Sequence, residues 1–346
     1  MAPPNAQEIQ YQLAHIHQDR SNDIVVSHGI CIVIAAVAVV LRFSSRRLCK
    51  APILADDYMT IVALILAAGE VAGGLMCVHY GGGKHAVLLK NPETFAKWVI
   101  ATEELYNAAI TAVKLSILLL YRRLFPDPRF KIALCTVGGF VICCGLTMNL
   151  LVVFQCRPVN ASWNLTVQGQ CIHLNTAFII LGSLNALTDI IALCLPMPFL
   201  WRLHADKARK FQLIGIFSLG SLTCGISLYR IPQMANISLS DAPWSDVKPC
   251  VWAVVEVCLG ILGACLPTFP ALFRWKSVRD NRRPSGMSQS RSADSSRYPV
   301  LTPDERRSGF KSGVGNAHKE FLKMIDWADV PKAVKKGNDT KLQGYF

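Results

Sequence analysis

Residues 24–43 read IVVSHGICIVIAAVAVVLRF. A helix needs about 20 mostly apolar residues to cross the hydrocarbon core of a bilayer. This run is long enough, and its one formal charge, Arg42, sits beside its end. Outward from it the pattern repeats, with apolar runs at 58–78, 98–120, 132–155, 174–197, 211–231 and 251–273. The 346-residue chain is 52% hydrophobic and only 17% charged, with a mean hydropathy of +0.33. A soluble globular domain carries nearer a quarter charged residues. The spacing predicts an all-α integral membrane protein. A seven-transmembrane helix bundle is expected over 24–273, after an N-terminus at 1–23 and before a tail at 274–346. The N-terminal stretch is polar and lacks a basic region followed by a short apolar core, so it does not read as a cleaved signal.

The net charge is +13. A basic balance suits nucleic acid only when the charge lies on a soluble face. Here the bases flank apolar runs, so the expected partner is the lipid bilayer and not nucleic acid. Lys and Arg collect in cytoplasmic junctions. The 1–2 junction holds Arg42, Arg46, Arg47 and Lys50; the 3–4 junction holds Arg122, Arg123, Arg129 and Lys131; the 5–6 junction holds Arg202, Lys207, Arg209 and Lys210. The N-terminus has Arg20, the 4–5 loop Arg157 and the 6–7 loop Lys248; the 2–3 loop, with three lysines, is the weak vote. The tail carries sixteen Lys and Arg. The N-terminus is therefore expected outside and the C-terminus in the cytoplasm.

That orientation gives meaning to FQCRPVNASWNLTVQGQC, residues 154–171. Placed outside, Cys156 and Cys171 meet oxidising conditions and are expected to pair. Closing a loop of this size stabilises by about 3 kcal/mol in the chain-entropy view. Between them lie N-glycosylation triplets at Asn160 and Asn164, and another falls at Asn236 in the 6–7 loop, on the same side. A fourth triplet, at Asn338, falls in the tail and is expected to stay bare. Cys31, Cys143, Cys144, Cys194, Cys224 and Cys265 lie inside apolar runs and read as small core hydrophobes.

The chain resembles the fungal rhodopsin-domain family of seven-span membrane proteins. The resemblance rests on ADDYMTIVALILA in span 2, HYGGGKH after it, VKLSILLLYRRLF closing span 3, FQCRPVNASWN with GQC, NALTDIIALCLPMPFLWRL through span 5, FSLGSLTCGISLYRI in span 6 and WAVVEVCLGILGACLPT in span 7. Together these cover about residues 24–275. Relatives often place an arginine after the Leu-Pro-Thr run; this chain reads LPTFPALF, with Arg274 close by. Some relatives resemble fungal surface receptors, and some occur in secondary-metabolite gene clusters. The resemblance thus implies a membrane bundle and a receptor-like role tied to fungal secondary metabolism.

Ionisable residues inside a membrane are costly, so they pair, face the bundle or line a polar cavity. Lys114 lies sixteen residues into span 3 and Asp189 fifteen into span 5. Equal depth predicts an ion pair, with Asn185 one turn away as a hydrogen-bond partner. Nearer the outer side lie Glu70, Glu103, Glu104, Arg230 and Glu256, with Trp252 four residues before Glu256. Glu70, Glu104, Arg230, Trp252 and Glu256 are the candidate lining of a pocket for a small amphipathic molecule; Glu103 reads equally as a headgroup residue.

Other functions fit less well. GGGKH, residues 81–85, lacks the strand, helix and Ser/Thr of a phosphate-binding loop; its glycines read as a tight turn folding the 2–3 loop over the bundle. Asp56 and Asp57 open span 2, where carboxylates suit a helix N-terminus. Span 7 has no lysine for a retinal Schiff base, so no retinal or other cofactor is expected. The histidines are scattered, so no metal site is expected. The G-protein-receptor patterns that close span 3 and fill span 7 in animal receptors are missing: those places read LYRRLF and LPTFPALF. The alternative is a membrane-embedded, cyclase-like biosynthetic enzyme working through Glu70, Glu104, Asp189 and Glu256 as carboxylic acids, although no spacing singles out a catalytic residue. A transporter fits less, because no inverted repeat is visible. The Ser- and Arg-rich tail reads as disordered, phosphorylatable and able to meet a cytoplasmic signalling partner. Residues 318–336 read as a short amphipathic helix. The plasma membrane is the expected location, with an endomembrane as the alternative.

Overall fold

The computed structural model describes residues 6–124, 127–164, 166–200 and 207–269. The expected tail, with its helix at 318–336, lies outside them. Seven helices long and apolar enough to cross a membrane occur among the described residues. Span 1 is Ser21–Leu48, span 2 Ala55–His79, span 3 Pro92–Leu124 and span 4 Pro128–Val153. Span 5 is Leu174–Cys194, span 6 Lys207–Ala235 and span 7 Val247–Cys265. A short helix, Ala6–Ala14, precedes them. The all-α membrane bundle expected from hydropathy is therefore present.

The helices outrun their apolar runs. Span 1 extends to Leu48, which draws Arg42 and Arg46 out of the expected 1–2 junction and onto its last turns. Both are buried there. Burial is tolerable because Asp56 and Asp57, opening span 2, neutralise them. Asp127 caps span 4 by accepting from the Arg129 N–H at 2.8 Å, with Pro128 next in the chain, where a missing N–H costs nothing. Span 7 leaves α-helical geometry at Cys265 and tightens into a 3-10 turn, Leu266–Thr268, over Pro267.

Spans 3 and 7 are innermost, with 61% of each apolar stretch buried against 22–39% in the others. That position accounts for the polarity of span 3, whose side chains face protein. The core between spans 1, 2, 3 and 7 is built largely on alanine, including Ala35, Ala63, Ala67, Ala109 and Ala253. Lipid tails give helices no hydrophobic reason to associate, so small side chains and close backbone approach hold them. Outward faces carry exposed Val33, Val37 and Val40 on span 1 and Leu146 and Leu150 on span 4, as lipid contact requires.

Between spans 4 and 5, β1 (Cys156–Arg157) pairs antiparallel with β2 (Gln170–Cys171). The register sets Cys156 opposite Cys171, and a disulfide joins them. The remaining cysteines are unpaired.

Candidate functional site

The site grows from one face of span 3. Glu103, Tyr106, Ile110 and Lys114 recur at three- and four-residue steps, which stacks them along the helix. This face meets spans 5, 6 and 7.

At its deeper end the Lys114 ammonium lies 3.0 Å from Asp189. It also donates to the Asn185 side-chain oxygen (2.8 Å), the Asn185 carbonyl (2.9 Å) and the Thr188 hydroxyl (2.6 Å). Asn185 does not bond Asp189. Its amide instead donates to Glu256 at 2.7 Å. The Ser227 hydroxyl, on span 6, lies 2.8 Å from Asp189 and 2.7 Å from Glu256. Glu256 is fully buried, and its second oxygen accepts from the Tyr106 hydroxyl at 3.0 Å and faces Arg230 at 3.4 Å. Arg230 lies over the Tyr106 ring, 4.0 Å from its centroid, and 3.7 Å from Glu103. One continuous polar chain thus runs Lys114, Asp189, Ser227, Glu256, Arg230, Glu103. Lys114→Met and Asp189→Asn should each destabilise, and the double variant should be more stable than the sum of the losses by about 1 kcal/mol or more. Thermal unfolding of the four proteins in detergent measures this coupling; additive losses would dismiss the pair.

Above the chain opens a cavity of about 200 Å3. Phe95, Val99, Ile100, Phe178 and Met234 form apolar walls, and the charged lining is Glu70, Glu103, Arg230 and Asp246. Glu70 is buried, and its Oε2 has no hydrogen-bond partner among the described residues; the same holds for Arg230 Nε. Sequence reasoning placed Glu70, Glu104, Arg230, Trp252 and Glu256 around one pocket. Glu70 and Arg230 line this cavity, and Glu256 borders a narrow cleft continuing beneath it. Glu104 is not in the lining. One residue turns a helix by about 100°, so Glu103 takes the inward place and Glu104 is aimed aside. Trp252 also departs: it meets Tyr229 edge-on at 5.3 Å and lines a separate surface cleft with Arg20 and Val26. Trp252 stands one turn before Glu256 on span 7, and its ring meets Tyr229 and not the cavity.

The roof comes from the HYGGGKH loop. Gly81 and Gly83 adopt positive φ, +113° and +88°. At Gly83 a Cβ would fall 2.6 Å from the Ser21 nitrogen, so only glycine lets the loop reach span 1. The Gly83 N–H donates to the Pro243 carbonyl (2.9 Å), and its carbonyl accepts from Arg20 N–H (2.9 Å). His85 is held between the Asp241 carboxylate at 2.6 Å and the stacked Trp244 ring, 4.5 Å between centroids. The Arg20 guanidinium lies 4.3 Å over Trp244. Neither Trp244 nor Asp241 carried a sequence signal for this role.

A second buried cluster ties the other end of the bundle. Arg42 donates to Asp57 at 2.7 Å, to Asp56 at 2.5 Å and to the Ala264 carbonyl. Arg46 reaches the same carboxylates at 3.1 and 3.2 Å. Asp57 also accepts the Leu54 N–H at 3.1 Å, the capping role its position suggests. No group of three or more metal-ligating side chains occurs among the described residues.

The fungal rhodopsin domain matches residues 41–275. The chain is similar to a SAT4 family membrane protein of Emericella nidulans, 32% identical over 200 residues, covering 56% of this chain and 51% of that protein. It is similar to the polyenoic acids biosynthesis gene cluster protein Ba17b of Metarhizium anisopliae, 31% identical over 256 residues, covering 68% of this chain and 69% of the relative. Receptor GIN3 of Arthrobotrys oligospora is 23% identical over 248 residues, covering 69% and 59%. The chain thus spans about half the length of the first of these relatives. No solved structure matches.

Proposed function

This chain belongs to the fungal rhodopsin domain family of membrane proteins, and from that premise we propose that it is a receptor-like sensor of a small amphipathic molecule. The molecule occupies the roofed cavity above the Glu256 chain. The observation that carries this reading is Glu70. A buried carboxyl oxygen without a partner is costly, and it stands on the wall of an apolar cavity, where a ligand would satisfy it. One relative is named for a polyenoic acids biosynthesis gene cluster, and GIN3 is named a receptor. Binding at Arg230 and Glu103 would reach Lys114 through Glu256 and Asp189, and from there loops and tail could engage a cytoplasmic partner. The reading uses no retinal, since the lysine of span 7, Lys248, stands at the helix's second residue and Lys114 is engaged by Asp189.

The test is a thermal-shift screen of apolar fragments on the full chain in lipid nanodiscs. Stabilising fragments are expected, and Val99→Trp, which fills the cavity, should abolish their effect while the protein stays folded. Fragments that stabilise both proteins equally would place binding elsewhere and end this reading.

A biosynthetic enzyme is the second reading, favoured by Glu70 and Glu103 sharing one apolar-walled cavity. Asp189 and Glu256 suit it less, because both are engaged by Lys114, Ser227, Asn185 and Arg230. Turnover of substrate by the purified protein would decide for it.

We further propose that the N-terminus faces outside, the C-terminus the cytoplasm, and that the protein resides in the plasma membrane. The charge asymmetry supports the orientation. Asn160 and Asn236 are exposed, and Asn164 is half-buried, in loops at the proposed outer end. Glycosidase treatment of protein from its fungal host should increase gel mobility, and changing Asn160, Asn164 and Asn236 together to Gln should remove the shift. A shift that persists would contradict this placement of the loops.

A further inference from the structure

We propose that the cavity selects a small amphipathic amine and that Glu70 receives its protonated head. The inference rests on the reading of this cavity as a ligand site and names the chemistry it recognises.

The lining charges do not balance. Glu70, Glu103 and Asp246 face one cation, Arg230. That cation is shared: Glu256 lies 3.4 Å from one of its nitrogens, Glu103 3.7 Å from another, and the Tyr106 ring covers its face, while its Nε has no hydrogen-bond partner among the described residues. Glu256 in turn is filled by Tyr106, Asn185 and Ser227. No hydrogen bond from this set reaches Glu70 Oε2. Its side chain is 1% exposed, and its Oε2 accepts no hydrogen bond from the described residues. A lining of three carboxyl groups and one cation disfavours carboxylates and phosphates, which would add like charge in a weakly screened interior. It favours a ligand bringing donors and positive charge. An ammonium meets both needs, since it carries donors and no acceptor.

The rest of the cavity sets the body of the ligand. Phe95, Val99, Ile100, Phe178 and Met234 offer two aromatic rings and branched or flexible apolar surface, beside the polar side chains of Thr102, Gln155 and Ser162. The volume of about 200 Å3 limits the ligand to a compact body. An amine with a single aromatic or branched aliphatic group fits.

Three probes of one shape test the idea on the full chain in nanodiscs: 2-phenylethylamine, 2-phenylethanol and phenylacetate, titrated by calorimetry up to about 10 mM. The amine should bind about tenfold or more tightly than the alcohol, as a buried charge pair requires, and phenylacetate weakest. Glu70→Gln, which keeps size and shape, should bring amine and alcohol to within about twofold, with the melting temperature confirming the fold. Asp246→Asn should weaken the amine less. If alcohol or phenylacetate binds as well as the amine, and Val99→Trp blocks them, the amine inference is overturned while the cavity remains a ligand site. An amine preference that survives Glu70→Gln overturns it too. If no probe binds, or binding ignores Val99→Trp, the cavity reading falls as well.

Discussion

Replacing Glu256 with alanine should cost about 3–5 kcal/mol of stability, the loss seen when one partner of a buried ion pair is removed. Glu256 is fully buried and sits where spans 3, 5, 6 and 7 meet. One oxygen accepts from Asn185 and Ser227, both at 2.7 Å; the other accepts from Tyr106 at 3.0 Å and faces Arg230 at 3.4 Å. Alanine leaves Asn185 and Tyr106 without that acceptor, while Ser227 keeps Asp189 at 2.8 Å, and leaves Arg230 with Glu103 alone at 3.7 Å. Glu256→Gln should cost less, about 1–3 kcal/mol. Its carbonyl can serve Asn185 and Ser227, but its amide then points donors at the Arg230 guanidinium. Combining Glu256→Ala with Arg230→Met should recover part of the loss, because the stranded charge is gone. Unfolding in detergent, followed by tryptophan fluorescence, reads all three. An alanine variant within 1 kcal/mol of the native protein would show that the chain of contacts through Glu256 does not hold the bundle.

Much of this arrangement was legible in the sequence, and the reasons for the remainder differ from place to place. Hydropathy located all seven spans, because crossing length and apolar composition are local properties. Helix ends were not local. The extension of span 1 through Arg42 to Leu48 depends on Asp56 and Asp57, carried by the next helix. Similar depth from the starts of the apolar runs at 98 and 174 brought Lys114 and Asp189 to the same level, because helical rise is constant. Depth alone could not tell Glu103 from Glu104, since neighbours differ in direction and not in height. Nor could it show that Trp252 turns from the cavity toward Tyr229. The three glycines of HYGGGKH signalled a fold-back turn through backbone freedom, yet the partners that receive it, Pro243 and Asp241, lie about 160 residues on. Spacing in the sequence carries no information about contacts of that kind, and the central place of Glu256 escaped for the same reason.

Arg42→Lys should destabilise almost as much as Arg42→Met, although it keeps the charge. The guanidinium serves three acceptors in different directions: Nε to Asp57 at 2.7 Å, one terminal nitrogen to Asp56 at 2.5 Å and the other to the Ala264 carbonyl of span 7. A planar fork of fixed geometry meets all three at once, whereas an ammonium is a shorter point charge that must leave at least one behind. Arg46 softens the electrostatic loss, since it already lies 3.1 and 3.2 Å from the same carboxylates. It does not replace the tie to span 7. Both variants should therefore lose about 3 kcal/mol. Adding Asp57→Asn to Arg42→Met should return part of this by removing one stranded carboxylate, at the expense of a weaker start to span 2, where Asp57 also accepts from Leu54. Chemical or thermal unfolding of the single and double variants in nanodiscs supplies the comparison. An Arg42→Lys protein as stable as the native one would mean that charge alone joins spans 1, 2 and 7 at this end, and the three-way geometry would carry no weight.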